Sequence, residues 1–462
     1  MTFSKLLVVG LDSAAPALMF DRYRAELPTL SALIARGAHG RMRSTNPPIT
    51  VPAWTAMMSS RDPGELGVYG FRNRKDHSYD GYQFANSSLV KVPRLWDRLG
   101  DAGLHCMVLG VPQTYPPSRI NGEMVTCFLT PSTQSAYTYP PELKAEVERI
   151  TDGYVLDVDD FRTADKERLL QRVYAKTRKH FALAKHLVAS RPWDFCMLVE
   201  MGVDRIHHGF WSFMDPAHHK YEAGNPYESA IRDYLRWLDG ELAALLDLCP
   251  RDTLVLVVSD HGAKKMDGGI CFNEWLMREG YLRLSDAPKK PTPIGKVPID
   301  WAHTQAWGDG GYYGRLFMNV RGREPSGTID PKDYERVRSD LIAGIESIAD
   351  PDGRNIGSRA YRPEDIYRRV EGVAPDLLVY FGDLDWRSVG AVGMGGIHTF
   401  ENDTGPDEAN HDWHGVFVLS TAGAPAPLAG ALPDVSIYDV APTLLRLLGQ
   451  PVPDGLAGRP LV

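Results

Sequence analysis

Six side chains able to hold a divalent cation occur at four places in the chain, each beside a run that reads as a β-strand. Asp12 comes directly after the apolar run Leu6-Leu7-Val8-Val9 and the turn-like Gly10-Leu11. Asp204 and His208 follow the run Asp194 to Val199 and stand four apart, so one helical turn sets both on one face. Asp260 and His261 follow Thr253 to Val258, a continuous apolar run of the kind buried on both faces of a parallel sheet. His411 lies just ahead of the strand-like Val416 to Leu419. In open α/β sheets, ligands gather beyond the carboxyl ends of the strands. All four places then meet at one sheet edge. Carboxylates and imidazoles crowded together there repel and desolvate one another unless cations sit among them. Asp and His donors with open positions suit Zn²⁺ first and Mn²⁺ as the alternative, and six of them plus a hydroxyl suffice for two ions.

The hydroxyl is that of Thr50, in Ser44-Thr45-Asn46-Pro47-Pro48-Ile49-Thr50-Val51-Pro52-Ala53-Trp54-Thr55. Prolines 47, 48 and 52 stiffen this stretch ahead of a helical-looking run. A rigid loop can hold a nucleophile in attack geometry. Taken singly, these residues have plainer readings: a Pro-rich turn, a helix cap at Asp12, a surface histidine at His208. His207 and His414 compete as imidazole ligands. Only the joint placement favours a metal site.

The elements needed to position these groups alternate. Helical runs at Leu27 to Ala35, Leu95 to Ala102, Asp165 to Ala189, Tyr227 to Leu248 and Asp439 to Leu448 are interleaved with strands at 6–9, 105–109, 194–199, 253–258, 375–380 and 415–419, and Asp439 reads as an N-cap. This predicts an α/β fold with a doubly wound, mostly parallel sheet and helices on both faces. Residues 264–375 are richer in turns and carry a helix at Pro331 to Ile348, so they read as an inserted smaller lobe or cap. The catalytic core then comprises 1–263 and 376–462.

A chain of 462 residues is long enough for one large domain plus an insertion. Its net charge of -8 argues against general nucleic-acid binding. No apolar stretch approaches the length of a membrane span, and the start lacks the pattern of a secretory signal. Five cysteines stand singly, without CxxC pairs. Core thiols in a reducing cytoplasm are the expectation.

With these residues in view, the chain resembles the alkaline phosphatase superfamily in its type I phosphodiesterase/nucleotide pyrophosphatase branch. The resemblance rests on Gly10-Leu11-Asp12, Pro47 to Trp54, Asp204 with His208, Ser259-Asp260-His261-Gly262, and His411 followed by Gly415. Asn273-Glu274-Trp275-Leu276, Gly322 to Pro325, Ala374 to Leu377 and Asp439 to Thr443 extend it along the whole chain. It implies an alkaline phosphatase-like fold and a hydrolase acting on a small phosphate ester. It implies one ion held by Asp12, Thr50, Asp260 and His261, and another by Asp204, His208 and His411. Thr50 is then the nucleophile and forms a phospho-threonine intermediate.

Two positions depart from the family pattern. Nucleotide pyrophosphatase relatives carry an Asn 21 residues after the nucleophile, where this chain has Phe71, and a His where it has Leu66. Phosphate contacts are then expected from Arg72, Asn73 or Arg74, with Trp54 and Phe71 either an apolar or stacking wall or, equally, plain core packing. Phosphodiester or phosphoanhydride hydrolysis is the first reading. A phosphomonoesterase or phosphonate monoester hydrolase is second, since no Arg stands beside Thr50 to meet a dianion. A sulfatase needs a Cys or Ser nucleophile with an Arg shortly after it, which is absent here. A catalytically silent binding protein is the reading from outside the enzymes.

Overall fold

The computed structural model describes residues 2–433 and 435–462; Met1, where the expected core segment begins, and Asp434 lie outside the described residues. Strand Leu6–Leu11 lies inside a ten-stranded sheet, parallel to Phe195–Glu200 on one side and to Leu254–Val258 on the other. Past Phe195–Glu200 come Cys106–Leu109 and Gly122–Val125, also parallel, and an antiparallel end strand Thr138–Tyr139. Past Leu254–Val258 comes His414–Thr421, which runs antiparallel, then Ala38–Arg43. Because His414–Thr421 runs against its neighbour, its first residues stand at the carboxyl ends of the parallel strands. That reversal is how a residue preceding a strand reaches the same edge as residues following one.

The two-residue period of a strand feeds two cores. Leu7, Val9 and Leu11 point into one, with helices Pro28–Arg36, Lys166–Ser190, Gly202–Met214 and Ala230–Leu246. Leu6 and Val8 point into the other, with Thr50–Ser59, Leu95–Asp101 and Val440–Leu447. The sheet is therefore doubly wound and mostly parallel. Among the described residues no helix is long and apolar enough to cross a membrane.

Several expected elements shift. Gly10 and Leu11 belong to the first strand, and the turn starts at Asp12. The helix expected from Tyr227 starts at Ala230, because Asn225 Oδ1 accepts the Tyr227 N–H and holds the chain in a turn first. Asp439 holds the N-cap position of the last helix as expected, but without a side-chain capping bond, because its carboxylate turns back to the N–H groups of Ser436 and Arg459. The strand expected at 375–380 to rejoin the main sheet does not do so. Leu377–Tyr380 pairs with Gly314–Met318 and Arg359–Tyr361 in a separate four-stranded antiparallel sheet that includes Ala306–Asp309. Helix Tyr334–Glu346 packs Val337, Leu341 and Ile345 onto that sheet. The large sheet is regained only at His414. Just before it, Ala409–Asp412 pairs with Gly262–Lys265, setting His411 opposite Ala263, two residues past His261.

Gly10 gives this architecture a test. A Cβ at that position would lie 2.5 Å from Trp54 Cη2 and 2.9 Å from Val199 Cγ2, inside the sheet-to-helix seam beneath Asp12. Gly10→Ala is expected to cost about 1–3 kcal/mol through overpacking, read as a lower urea midpoint. An unchanged midpoint would show that the seam is looser than described.

Candidate metal centre

The structure brings all six expected ligands and Thr50 together, and all seven are buried; Thr50, the most open, is 3 % exposed. Asp12, Asp260 and His261 form one group and Asp204, His208 and His411 a second, with the ligating atoms of each within 4.8 Å of one another. Thr50 Oγ1 lies 3.3 Å from His261 Nε2, at the edge of the first group. The groups adjoin: the His261 and His411 rings stack with centroids 3.8 Å apart.

Local structure explains each placement. Thr50 is the first residue of helix Thr50–Ser59 and follows an extended Ile49. Pro52 costs that helix no internal hydrogen bond, because first-turn N–H groups have no intrahelical acceptor. The free N–H groups and the helix dipole at this end favour negative charge. Asp204 and His208 share one face of helix Gly202–Met214, as their spacing predicts. The Gly202 N–H donates to Glu200 Oε1 at 2.7 Å, and a Cβ on Gly202 would overlap Tyr234, so the entry to this helix is pinned from behind.

Each histidine is oriented by the nitrogen it turns away from the site. His261 Nδ1 lies 3.0 Å from the Gly262 carbonyl and His411 Nδ1 lies 2.8 Å from that of Pro48. His208 Nδ1 meets Asp407 Oδ1 at 2.7 Å. These bonds place the proton on Nδ1 and leave Nε2 free as a lone-pair donor facing the carboxylates. His208 Nε2 and Asp204 Oδ1 are 3.2 Å apart yet make no hydrogen bond. Both are buried without a partner, as are Asp12 Oδ1 and Asp260 Oδ2. A buried polar atom without a partner is costly. Four of them converging, with N and O chemistry throughout, fit divalent cations.

The proton affinities express the same crowding. Burial, then the charge of Asp204, pushes Asp12 well above the usual carboxylate range; burial and Asp12 do the same to Asp260. Burial also raises Asp204, but His208 and Arg205 outweigh it and hold the carboxylate well below its ordinary value. Burial lowers His261 to about 4, while Asp407 overcomes burial and raises His208.

Other expected site residues divide. Phe71 and Arg72 line a cavity of about 1020 Å³ that opens onto Thr50, His411 and Asp204. Trp54 does not: it is fully buried in the core behind the site, and its Nε1–H donates to Asp12 Oδ2 at 2.6 Å. It orients Asp12 instead of walling the pocket. Asn73 is also absent from the wall, since its amide is taken up closing the turn between Tyr69 N–H and the Gly70 carbonyl. Arg74 is buried against Glu324. His207 is buried with its Nδ1 3.1 Å from the Ser13 carbonyl and belongs to neither group, and His414 is likewise outside both. Asp407 went unforeseen, because it follows no strand. The signal available was the need of each ligating imidazole for an acceptor at its other nitrogen.

A sequence model of the type I phosphodiesterase / nucleotide pyrophosphatase family matches residues 6–415. No curated protein matches in sequence. Among solved structures, human ectonucleotide pyrophosphatase / phosphodiesterase 5 superposes with a TM-score of 0.57 at 12% identity, covering 97% of this chain and 96% of that one. Its murine counterpart gives 0.56 at 12% identity as an inactive variant in complex with AMP, with the same coverages. The murine protein in a second structure gives 0.55 at 13%, again covering 97% and 96%. At such identities the likeness is one of fold.

Two outcomes test the centre. Asp407→Asn keeps the shape but weakens the acceptor behind His208, so Zn²⁺ affinity is expected to fall about 10–100-fold in a metal-buffered titration. An unchanged affinity would remove Asp407 from the site. For the raised pair Asp12 and Asp260, the folded state binds protons more tightly than the unfolded chain. In the cation-free protein their contribution to stability is therefore lost as pH rises from the unfolded value toward the folded one. Cation binding must expel those protons, so affinity should rise with pH and binding heats should differ between buffers of different ionisation enthalpy. Equal heats would contradict this.

Proposed function

Because the chain belongs to the type I phosphodiesterase / nucleotide pyrophosphatase family, a family of hydrolytic enzymes, we propose that it cleaves phosphodiester or phosphoanhydride bonds of small nucleotide-type substrates with two divalent cations and a phospho-threonine intermediate. The observation that carries this is the convergence of buried, unpartnered donor atoms on Asp12, Asp204, Asp260 and His208 beside the Thr50 hydroxyl. Asp12, Asp260 and His261 with Thr50 would hold one cation, and Asp204, His208 and His411 the other. When bound, the ions activate the hydroxyl, neutralise charge on the leaving oxygen and later activate water.

The remaining work falls to the chain. Thr50, fixed at a helix N-terminus, attacks phosphorus in line; its Oγ–P bond forms as the bond to the leaving oxygen breaks. The leaving oxygen departs on the side away from Thr50, toward Asp204, His208 and His411. Water then attacks the phospho-threonine, breaking that bond and restoring the hydroxyl. First-turn N–H groups beside Thr50 face the charge that develops on the non-bridging oxygens. Phe71, Phe128 and Phe161 give the cavity apolar surface for the organic half.

The phosphomonoesterase reading would need a free cation beside Thr50 for the additional charge. Arg205 lines the cavity next to Asp204, but its Nε and NH2 go to Asp157 at 3.0 and 2.7 Å and its NH1 goes to Asp204. With these groups engaged, diesters and anhydrides fit better. The choice of Zn²⁺ over Mn²⁺ rests on donor type. Cytoplasmic placement is supported by five unpaired cysteines, four of them buried.

Zn²⁺-loaded protein should hydrolyse bis-p-nitrophenyl phosphate faster than the monoester. Thr50→Ala should lower the diester rate by about 10³-fold or more. A variant as fast as the parent would remove Thr50 as nucleophile, and a monoester preference would install the second reading.

A further inference from the structure

Behind Asp204, His208 and His411 the cavity wall is organised on Asp407, which is fully buried. While Oδ1 faces His208, Oδ2 accepts from three donors: Arg162 Nε at 2.8 Å, Arg387 NH1 at 2.9 Å and Tyr312 O–H at 3.2 Å. Arg162 NH2 also donates to the Tyr312 oxygen. One carboxylate therefore stands against two guanidiniums, both of which line the cavity. Their bonding is incomplete. Arg387 is 5% exposed, its NH2 reaches Thr404 Oγ1 at 3.3 Å, and its Nε is buried with no partner. The carboxylates nearest in the cavity do not fill the deficit. Asp157 is held two-pronged by Arg205, and Asp403 Oδ2 accepts the Ala391 N–H at 3.2 Å.

These arginines stand in a definite direction from the nucleophile. Thr50 is beside His261, whose ring stacks on His411; the His411 ring stacks on Tyr312 at 4.0 Å, and Tyr312 bonds Arg162 and Asp407. The row runs from the attacking hydroxyl, past the second ligand group, to the arginines. A leaving group that departs past Asp204, His208 and His411 would come next to these arginines.

We infer that Arg162 and Arg387, steadied by Asp407 and Tyr312, form a subsite for a phosphate carried on the leaving half of the substrate. Phosphoanhydrides are then cleaved in preference to diesters whose leaving half is uncharged. This rests on the hydrolase reading above and deepens it. Planar guanidiniums suit a tetrahedral oxyanion, and their hydrogen bonds to it are charge-assisted. An uncharged leaving half would leave the Arg387 Nε–H desolvated and unpaired. In the reaction the Oγ–P bond forms as the P–O–P bond breaks, and the electron pair stays on the departing phosphate oxygen. The Thr50 proton goes to solvent. One water then frees the second phosphate monoester.

The test uses Zn²⁺-loaded protein and two substrates with the same retained half: p-nitrophenyl thymidine 5′-phosphate and di(thymidine 5′) pyrophosphate. Arg162→Gln and Arg387→Gln should each lower the ratio of kcat/KM, pyrophosphate over nitrophenyl ester, by about tenfold or more, the loss of one charge-assisted hydrogen bond. Arg162, whose side chain is 24% exposed, carries the test if Arg387→Gln fails to fold. Parallel losses on both substrates, or an unmoved ratio, would overturn the subsite and leave the arginines as supports of His208. A parent that cleaves only the nitrophenyl ester would also overturn it, with the hydrolase reading intact. A parent that cleaves neither would bring down that reading first.

Discussion

Asp12 and Asp260 share one buried group and Asp204 belongs to the group adjoining it, and among the described residues no lysine or arginine forms an ion pair with Asp12 or Asp260. Like charges this close in a desolvated site cannot all ionise by themselves, which is why two of the three bind protons far more tightly than free carboxylates. Most of the architecture at the sheet edge can be traced to this constraint. The parallel strands deliver carboxylates to a single line, and the imidazoles interleave between them with their lone pairs turned inward. The arrangement is a standing repulsion that divalent cations relieve.

Such a site holds its shape only if every ligand is fixed from behind. Trp54 fixes Asp12, the Pro48 carbonyl fixes His411, and Asp407 fixes His208. The bond from His411 to Pro48 has a second effect, because Pro48 lies two residues before Thr50. The loop that presents Thr50 and His411 of the opposite group are thus one mechanical unit. Pro47, Pro48 and Pro52 stiffen that unit without removing a helix hydrogen bond.

The clustering of these side chains was legible in the sequence because strand ends and helical spacing are local patterns: Asp204 and His208 need only a helix, Asp260 and His261 only a strand that stops. Parallel α/β topology then dictates where strand ends lie. What was not legible depended on partners chosen in three dimensions. Trp54 and Asn73 have the chemistry of substrate contacts, yet one turns to Asp12 and the other closes its own turn. Nothing in the types of their neighbours distinguishes these uses. Asp407 and Leu377–Tyr380 failed for related reasons. A buried carboxylate in a loop carries no periodic signal, and an apolar strand run does not say which of two sheets it will join.

The division between the two sheets bears on how substrate choice is set. Residues 262–412 leave the large sheet, build the four-stranded sheet, and return carrying Tyr312, Arg387, Asp407 and His411. Tyr312, Arg387 and His411 line the cavity, Asp407 is buried behind its wall, and only His411 belongs to one of the two donor groups. Residues outside the excursion thus supply Thr50 and five of the six clustered donor side chains, while the excursion adds Tyr312 and Arg387 to the cavity wall. Tyr312 lies at the junction, its ring against His411 and its hydroxyl against Arg162 and Asp407. Changes at Tyr312 or Arg387 then reshape the cavity wall without replacing any residue of the two donor groups. Substitutions at Asp407 reach both, since that carboxylate serves the arginines and His208 at once.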